Sequence, residues 1–234
     1  MVPCAGRGGV MGLSVFPDLM QGTDEWRAAR CGIVTASEVG KLLTSTLQVA
    51  DNETSRGLAL TLTAERITGH VEPGPMSSDM WRGIDDEPRA REVYAAHYAP
   101  VDELGLMVRD DWGFAIGYSP DGTVGDDGLI ECKSRLPKKH LQAIVDDRVP
   151  PENMAQLQCA LLVSGRAWID YVSFCGGMPL WVKRVLPNPT WFVAIATAAA
   201  AFEERAAELT ERYLQAVAGL PLTERSTDYA DIEV

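Results

Sequence analysis

Apolar and polar positions change period along the chain, and the changes mark its elements. Over residues 55–68 the apolar side chains Leu58, Leu60, Leu62 and Ile67 recur at helical spacing, and Pro73-Gly74-Pro75 closes the segment as a loop. A longer helix is expected over residues 77–98, where Met80, Trp81, Ile84, Val93, Tyr94 and His97 are set among charged residues and Pro88 predicts a kink near the preceding residue. Pro150-Pro151 introduces a third helix over residues 152–163, with an apolar stripe of Met154, Leu157, Leu161 and Leu162. An alanine-rich helix over residues 191–218 closes the pattern. Two shorter segments precede these. Residues 24–30 form a short helix with Trp26 as its apolar anchor, ended by Gly32, and Thr35-Ala36-Ser37-Glu38 has the hydroxyl-then-glutamate spacing of a capping box, feeding Val39, Leu42 and Leu43.

Strand patterns lie between the helices. Runs at 168–175 and 180–186 are β-rich and separated by Gly176-Gly177. Residues 114–118 and 129–132 are two further apolar runs, bent together by Pro120-Asp121-Gly122 and by Gly125-Asp126-Asp127-Gly128, and they predict a β-hairpin. Alternation along the second run sends Glu131 and Lys133 to one face, Ile130 and Cys132 to the other. Asp121 ends the first run, so two carboxylates and an ammonium meet in a small volume. Phosphodiester hydrolysis uses this set: Mg²⁺ takes oxygen ligands from one or two carboxylates, the ion activates water and stabilises the leaving oxyanion, and an ammonium orients the attacking water and neutralises developing charge. A structural ion pair on an exposed strand face is the competing reading of the same residues.

The chain has 234 residues, 46% of them hydrophobic, enough for one sizeable α/β core. No apolar stretch approaches a membrane span of about 18 to 20 residues, and the N-terminus lacks a compact apolar block of signal-peptide type, so a cytoplasmic protein is expected. Five cysteines, at 4, 31, 132, 159 and 175, form no CxxC pair, which argues for reduced thiols over a disulfide framework or a metal cluster. A formal charge of −12 speaks against a generally basic nucleic-acid-coating surface. The charge is segregated, however: residues 201–234 hold eight acids against three arginines, whereas Lys133, Arg135, Lys138, Lys139 and His140 follow the hairpin without an acid among them. Arg135, Lys138 and Lys139 are placed where a DNA backbone leaving the site would want cations, although a solvated charge run explains them equally well.

Five motifs occur in a fixed order: Gln21 to Trp26, Arg30 to Ser37, Gly83 to Glu87 with Ala90-Arg91, Ser119 to Gly122 with Glu131 to Lys133, and Ala155 to Gln158. In this order the chain, from about residue 21 to about 186, resembles the YqaJ-like phage recombination nucleases, the group that contains the bacteriophage lambda exonuclease. The resemblance implies a restriction-endonuclease-like PD-(D/E)xK core, a mixed central β-sheet flanked by α-helices. It further implies that Asp121, Glu131 and the backbone carbonyl of Cys132 bind Mg²⁺, with Mn²⁺ a possible substitute, that Glu87 supports a second ion directly or through water, that Lys133 serves the nucleophilic water, and that Gln156 orients Lys133 or the nucleophile. Arg30 and Ser37 match a pocket for the 5′-terminal phosphate. The implied activity is a 5′-to-3′ exonuclease on double-stranded DNA ends that leaves 3′ overhangs for recombination, assembled as a homotrimeric ring and working with a single-strand annealing protein in a bacterial host cell. Cys132 in place of the usual aliphatic residue and Pro88 directly after Glu87 depart from the family pattern without removing a catalytic group. An endonuclease or Cas4-like nuclease of the same core is one alternative, and a DNA-binding scaffold with a decayed metal site is another. The expected organisation is a mobile extension (1–20), a single nuclease domain (21–220) and an acidic tail (221–234).

Overall fold

The computed structural model describes residues 12–225 except 73 and 75. Its strands are β1 (Leu13–Phe16), β2 (Val34–Thr35), β3 (Leu106–Arg109), β4 (Ile116–Tyr118), β5 (Gly122–Val124), β6 (Gly128–Ser134), β7 (Trp168–Phe174) and β8 (Trp181–Val185). The α-helices are α1 (Asp24–Arg30), α2 (Glu53–Thr68), α3 (Ser78–His97), α4 (Pro137–Asp146), α5 (Pro151–Ser164) and α6 (Pro189–Ala216). The strands form two mixed four-stranded sheets, in the orders β1-β3-β4-β2 and β5-β6-β7-β8. The α/β class expected from the sequence is therefore observed.

Local chemistry sets the helix ends. Asn52 caps α2 in a reciprocal capping box with Ser55, each side chain accepting the other's backbone N–H at 3.0 Å. Gly69 ends the same helix in the left-handed region at φ +66°. Pro137 and Pro151 open α4 and α5, where a missing N–H costs nothing. Helix α3 continues through Pro88, and the hydrogen bond that Pro88 lacks belongs to Ile84, an exposed position.

Strand β6 is the hinge of the architecture, because it pairs antiparallel with β5 and parallel with β7. A parallel neighbour needs a crossover, and α4 with α5 supplies it. The two faces of β6 meet different cores. Leu129 packs with Ile169 and Tyr171 and with residues of α5 and α6, while Ile130 and Cys132 pack with Val172 against Ala90 and Tyr94 of α3. Glu131 and Lys133 share the face of Leu129, as alternation requires. Small residues of α6, among them Ala194, Ala198, Ala199 and Ala206, are buried and let that helix approach closely. Arg66 of α2 then grips Glu203 of α6 through two hydrogen bonds of 2.6 and 2.7 Å.

Several expectations are corrected. The apolar run ending at Tyr118 does not pair with β6. Its strand β4 lies in the other sheet beside β3 and β2, and the hairpin is made by β5 and β6 around the turn at 125–127. Pro120 has no N–H to give a ladder, so the chain crosses between sheets there and carries Asp121 in the crossing. Thr35 begins no helix. Its segment pairs with β4 as β2, and only a 3-10 turn, Val39–Leu42, follows, without a side-chain cap. Helix α4 was not anticipated. Within the stretch expected as a mobile extension, β1 pairs antiparallel with β3 at the sheet edge, while residues 1–11 lie outside the described residues, as do 226–234 of the acidic tail. Cys132, Cys159 and Cys175 are buried thiols. No helix among the described residues is long and apolar enough to cross a membrane.

Candidate active site

The β4–β5 crossing, β6, the N-terminal half of α3, α1 and the segment after β2 surround a cleft of about 390 Å³. Asp121 enters it one residue before β5. Its Oδ2 accepts the backbone N–H of Cys132 at 2.7 Å, so the side chain takes over from the β5–β6 ladder, whose last pair is Gly122 with Ile130. Arg91 of α3 donates to the Asp121 backbone carbonyl at 2.7 Å and lies 3.5 Å from Glu87. One guanidinium thus braces both acids. Gly122 makes the crossing possible, since a Cβ there would stand 2.3 Å from Val101 Cγ1.

Glu131 is 2% exposed and held from three sides. Lys133 Nζ donates to its Oε1 at 2.7 Å, Gln156 Nε2 of α5 donates to the same oxygen at 2.5 Å, and the Tyr118 hydroxyl approaches Oε2 at 3.4 Å. Burial pushes the Asp121 carboxyl well above the usual range, and the neighbouring Glu131 and Glu87 push it further. Glu87 is raised too, first by burial and then by Glu131, with Arg91 and Lys133 opposing. Burial alone would lower the Lys133 ammonium, but Glu131 and Asp121 outweigh it and raise it to about 12. Burial and mutual repulsion thus disfavour the charged forms of Asp121 and Glu87, and a bound cation is one way to relieve that.

The donor set fits a hard divalent ion: Asp121 and Glu131 carboxylates, with the Cys132 carbonyl beside them. Among the described residues no group of three or more His, Cys, Asp or Glu side chains is placed to hold a metal ion by itself. An open site built on one or two carboxylates, with water and substrate oxygens completing the shell, is how Mg²⁺ is usually held.

The same cleft is also lined by Arg30, Thr35 and Ser37. Arg30 Nη2 donates to Thr35 Oγ1 at 3.2 Å, and Thr35 Oγ1 lies 3.1 Å from Ser37 Oγ. Burial lowers the Arg30 pKa, while Glu38 and Glu65 oppose that shift. All seven side chains singled out as catalytic or phosphate-binding, namely Glu87, Asp121, Glu131, Lys133, Gln156, Arg30 and Ser37, line this one cleft, together with Cys132.

The three cations proposed for the DNA backbone do not line it. Arg135 is committed to Tyr171 Oη at 3.0 and 2.7 Å and to Asn153, and Lys138 and Lys139 are exposed on α4. His140 is fully buried, between Ser173 Oγ at 2.7 Å and the Pro179 carbonyl at 2.9 Å, so it belongs to the core and not to a cationic run. Residues given no part in the chemistry by the sequence also border the cleft: Trp26, expected only as a helix anchor, Tyr118 and Ser119. Trp26 and Ser119 lie inside the quoted motifs, so their position was available as a signal.

These elements and this cleft define a member of a known class. A family model for the YqaJ-like viral recombinase domain matches residues 25–167, and the chain belongs to that family. Among solved structures, the alkaline exonuclease LHK-Exo from Laribacter hongkongensis is 31% identical, with a TM-score of 0.75 over 85% of this chain and 100% of its own. LHK-Exo in complex with dAMP matches with the same figures. A phage related exonuclease from Haemophilus somnus 129PT, 10% identical with a TM-score of 0.61 over 77% of this chain and 96% of its own, shares the fold. No curated protein sequence matches.

Proposed function

We propose that this protein is a Mg²⁺-dependent 5′-to-3′ exonuclease that degrades one strand of linear double-stranded DNA and leaves 3′ single-stranded overhangs for recombination. The observation that carries the reading is the convergence of Glu87, Asp121, Glu131, Lys133 and Gln156 with Arg30 and Ser37 in one cleft. Family membership and the likeness to LHK-Exo, an exonuclease by name and seen with dAMP, support a nuclease acting on DNA.

Asp121 and Glu131, with the Cys132 carbonyl, would hold one ion, and Glu87 would help hold a second, Mn²⁺ being able to replace Mg²⁺. The ions supply Lewis acidity toward the scissile phosphate and a lowered pKa for the attacking water. The chain does the rest. Lys133, its ammonium stabilised by Glu131, directs the water and offsets charge that grows on the phosphate oxygens. Gln156 fixes the Glu131 oxygen that Lys133 also uses, which keeps acid and ammonium in one geometry. Arg30 and Ser37 anchor the terminal phosphate, so cleavage begins at a 5′ end and proceeds inward. The family suggests a homotrimeric ring around DNA and cooperation with a single-strand annealing protein.

Digestion of linear duplex labelled at one 5′ or one 3′ end, with Mg²⁺ or with chelator, tests the reading. Early release of the 5′ label and late release of the 3′ label, both stopped by chelator, are expected. Early release of the 3′ label, or equal cutting of covalently closed circles, contradicts it.

A further inference from the structure

Arg135 is bound more tightly than a solvated surface cation, and it lies outside the cleft. Its side chain is 11% exposed. The residue follows β6 directly, and its backbone N–H bonds to the Phe174 carbonyl at 2.8 Å, so the ladder with β7 continues through it. Alternation then puts Arg135 on the face of Glu131 and Lys133. On that face the guanidinium meets two elements. Nε and Nη2 both donate to the Tyr171 hydroxyl, at 3.0 and 2.7 Å, and Tyr171 is the buried β7 residue that stands opposite Glu131 in the parallel register. Nη2 also donates to Asn153 Oδ1, and Nη1 lies 3.5 Å from Glu152 Oε1.

Asn153 and Glu152 belong to the first turn of α5, whose N-cap is Pro150 and offers no side-chain cap. An uncapped helix end frays unless another group holds it, and Arg135 is that group here. Glu152 is 61% exposed, so its ion pair contributes little and Asn153 carries the tether. Gln156 follows Asn153 by three residues, which puts both side chains on one helix face. Two points of that face therefore meet the same side of β6: Asn153 through Arg135, and Gln156 through Glu131 Oε1 at 2.5 Å. Fixing the first turn restricts how Gln156 can approach, because a helix passes the position of one turn on to the next. The planar guanidinium suits this task, since its fixed fork reaches a hydroxyl and an amide oxygen at once.

We propose that Arg135 is a positioning residue for the cutting site: through Tyr171 and Asn153 it clamps the first turn of α5 and so holds the Gln156 amide on Glu131. The proposal rests on the reading of Glu131 and Gln156 as parts of that site. A cation for the DNA backbone makes a different demand on Arg135. A phosphate contact needs charge, whereas the clamp needs the shape of the fork.

The test measures kcat and KM on linear duplex DNA in Mg²⁺ for the full chain and for Arg135→Lys, Arg135→Met and Asn153→Ala, each alone and combined with Gln156→Leu. Positioning lowers kcat about tenfold in both Arg135 variants and about threefold in Asn153→Ala, with KM held within about twofold. Each loss shrinks to under about twofold once Gln156 is already leucine, because the clamp then has nothing to hold. A general structural defect multiplies through both backgrounds instead. In chelator, without turnover, amide exchange over residues 155–158 should quicken about tenfold in Arg135→Met while the amides of α2 keep their rates. Equal losses in both backgrounds, or unchanged exchange over residues 155–158, overturn the proposal. A lysine variant with wild-type kcat beside a methionine variant with raised KM assigns Arg135 to the DNA backbone and overturns it too. If Gln156→Leu lowers kcat and the Arg135 variants do not, the site stands and the clamp alone fails. If Gln156→Leu keeps the wild-type kcat, the reading of Gln156 falls and takes the clamp with it. Should Arg135→Met not fold, Asn153→Ala, a change that favours helix, decides by itself.

Discussion

Lys133→Met separates an ammonium that stabilises the cleft from one that merely lies near it. The wild-type ammonium is 2.7 Å from Glu131 Oε1, its side chain 28% exposed and its carboxylate partner 2% exposed. Raising that ammonium from 10.5 to about 12 corresponds to roughly 2 kcal/mol. The sign follows from the direction: this stability is fully present below pH 10.5 and is lost as pH rises through about 12. Truncating one partner of a buried pair typically costs about 3–5 kcal/mol, but Gln156 still donates to Glu131 and the lysine is partly solvated, so about 2–3 kcal/mol is the expected loss in chelator. For a chain of this size that is about 5–10 °C in melting temperature. On the proposed reading a divalent ion beside Asp121 and Glu131 would take over part of the compensation, so the deficit should narrow in Mg²⁺; an ion at 100 times its dissociation constant would add about 2.7 kcal/mol. Thermal melts of wild type and variant at neutral pH, in chelator and in saturating Mg²⁺, read both quantities. Equal melting temperatures in chelator, or a deficit that Mg²⁺ leaves untouched, would refute the electrostatic reasoning.

Other perturbations reach the same cleft from different sides. Asp121→Asn keeps an oxygen for the Cys132 N–H and removes one of the crowded charges, and because the native carboxyl is held well above the usual range, the wild type loses stability as pH rises through that raised pKa. In chelator the asparagine variant should therefore melt higher at neutral pH and converge with wild type near pH 4, and a lower melting temperature at neutral pH contradicts this. Gln156→Leu removes a donor to a charged acceptor, and kcat at saturating DNA should fall about tenfold, for a loss near 1.4 kcal/mol; an unchanged kcat would show that Lys133 and Tyr118 position Glu131 without it. Gly122→Ala forces a Cβ to within 2.3 Å of Val101, so urea unfolding should show a loss of about 1–3 kcal/mol, and an unchanged midpoint would mean that the crossing relaxes freely.

What the sequence revealed, and what it hid, follows from the range of the forces involved. Helix α2 is written locally, in the Asn52–Ser55 cap, the apolar spacing and Gly69, and period-two alternation correctly placed Glu131 and Lys133 together on one face of β6. Long-range pairing is not local. Nothing in residues 114–118 announces that β4 leaves for a second sheet, and the capping-box spacing at Thr35 is overridden once β2 pairs with Gly117 and Arg30 takes the threonine hydroxyl. His140 looked cationic because it follows two lysines, yet the interior turn of α4 buries it against Ser173. The acids were legible as chemistry because three charges near one hairpin are costly without a use. Ser119 and Trp26 were present in the motifs, but only the folded cleft joins residues 93 positions apart.

The most direct test of the central claim, that Asp121, Glu131 and Lys133 form a metal-dependent cutting site, is release of acid-soluble nucleotides from linear duplex DNA by wild type and Asp121→Ala, with and without Mg²⁺. Release by the wild type in Mg²⁺, none in chelator, and none by the folded variant under either condition is the expected result. Normal release by Asp121→Ala, or release by the wild type that chelator does not stop, would contradict it.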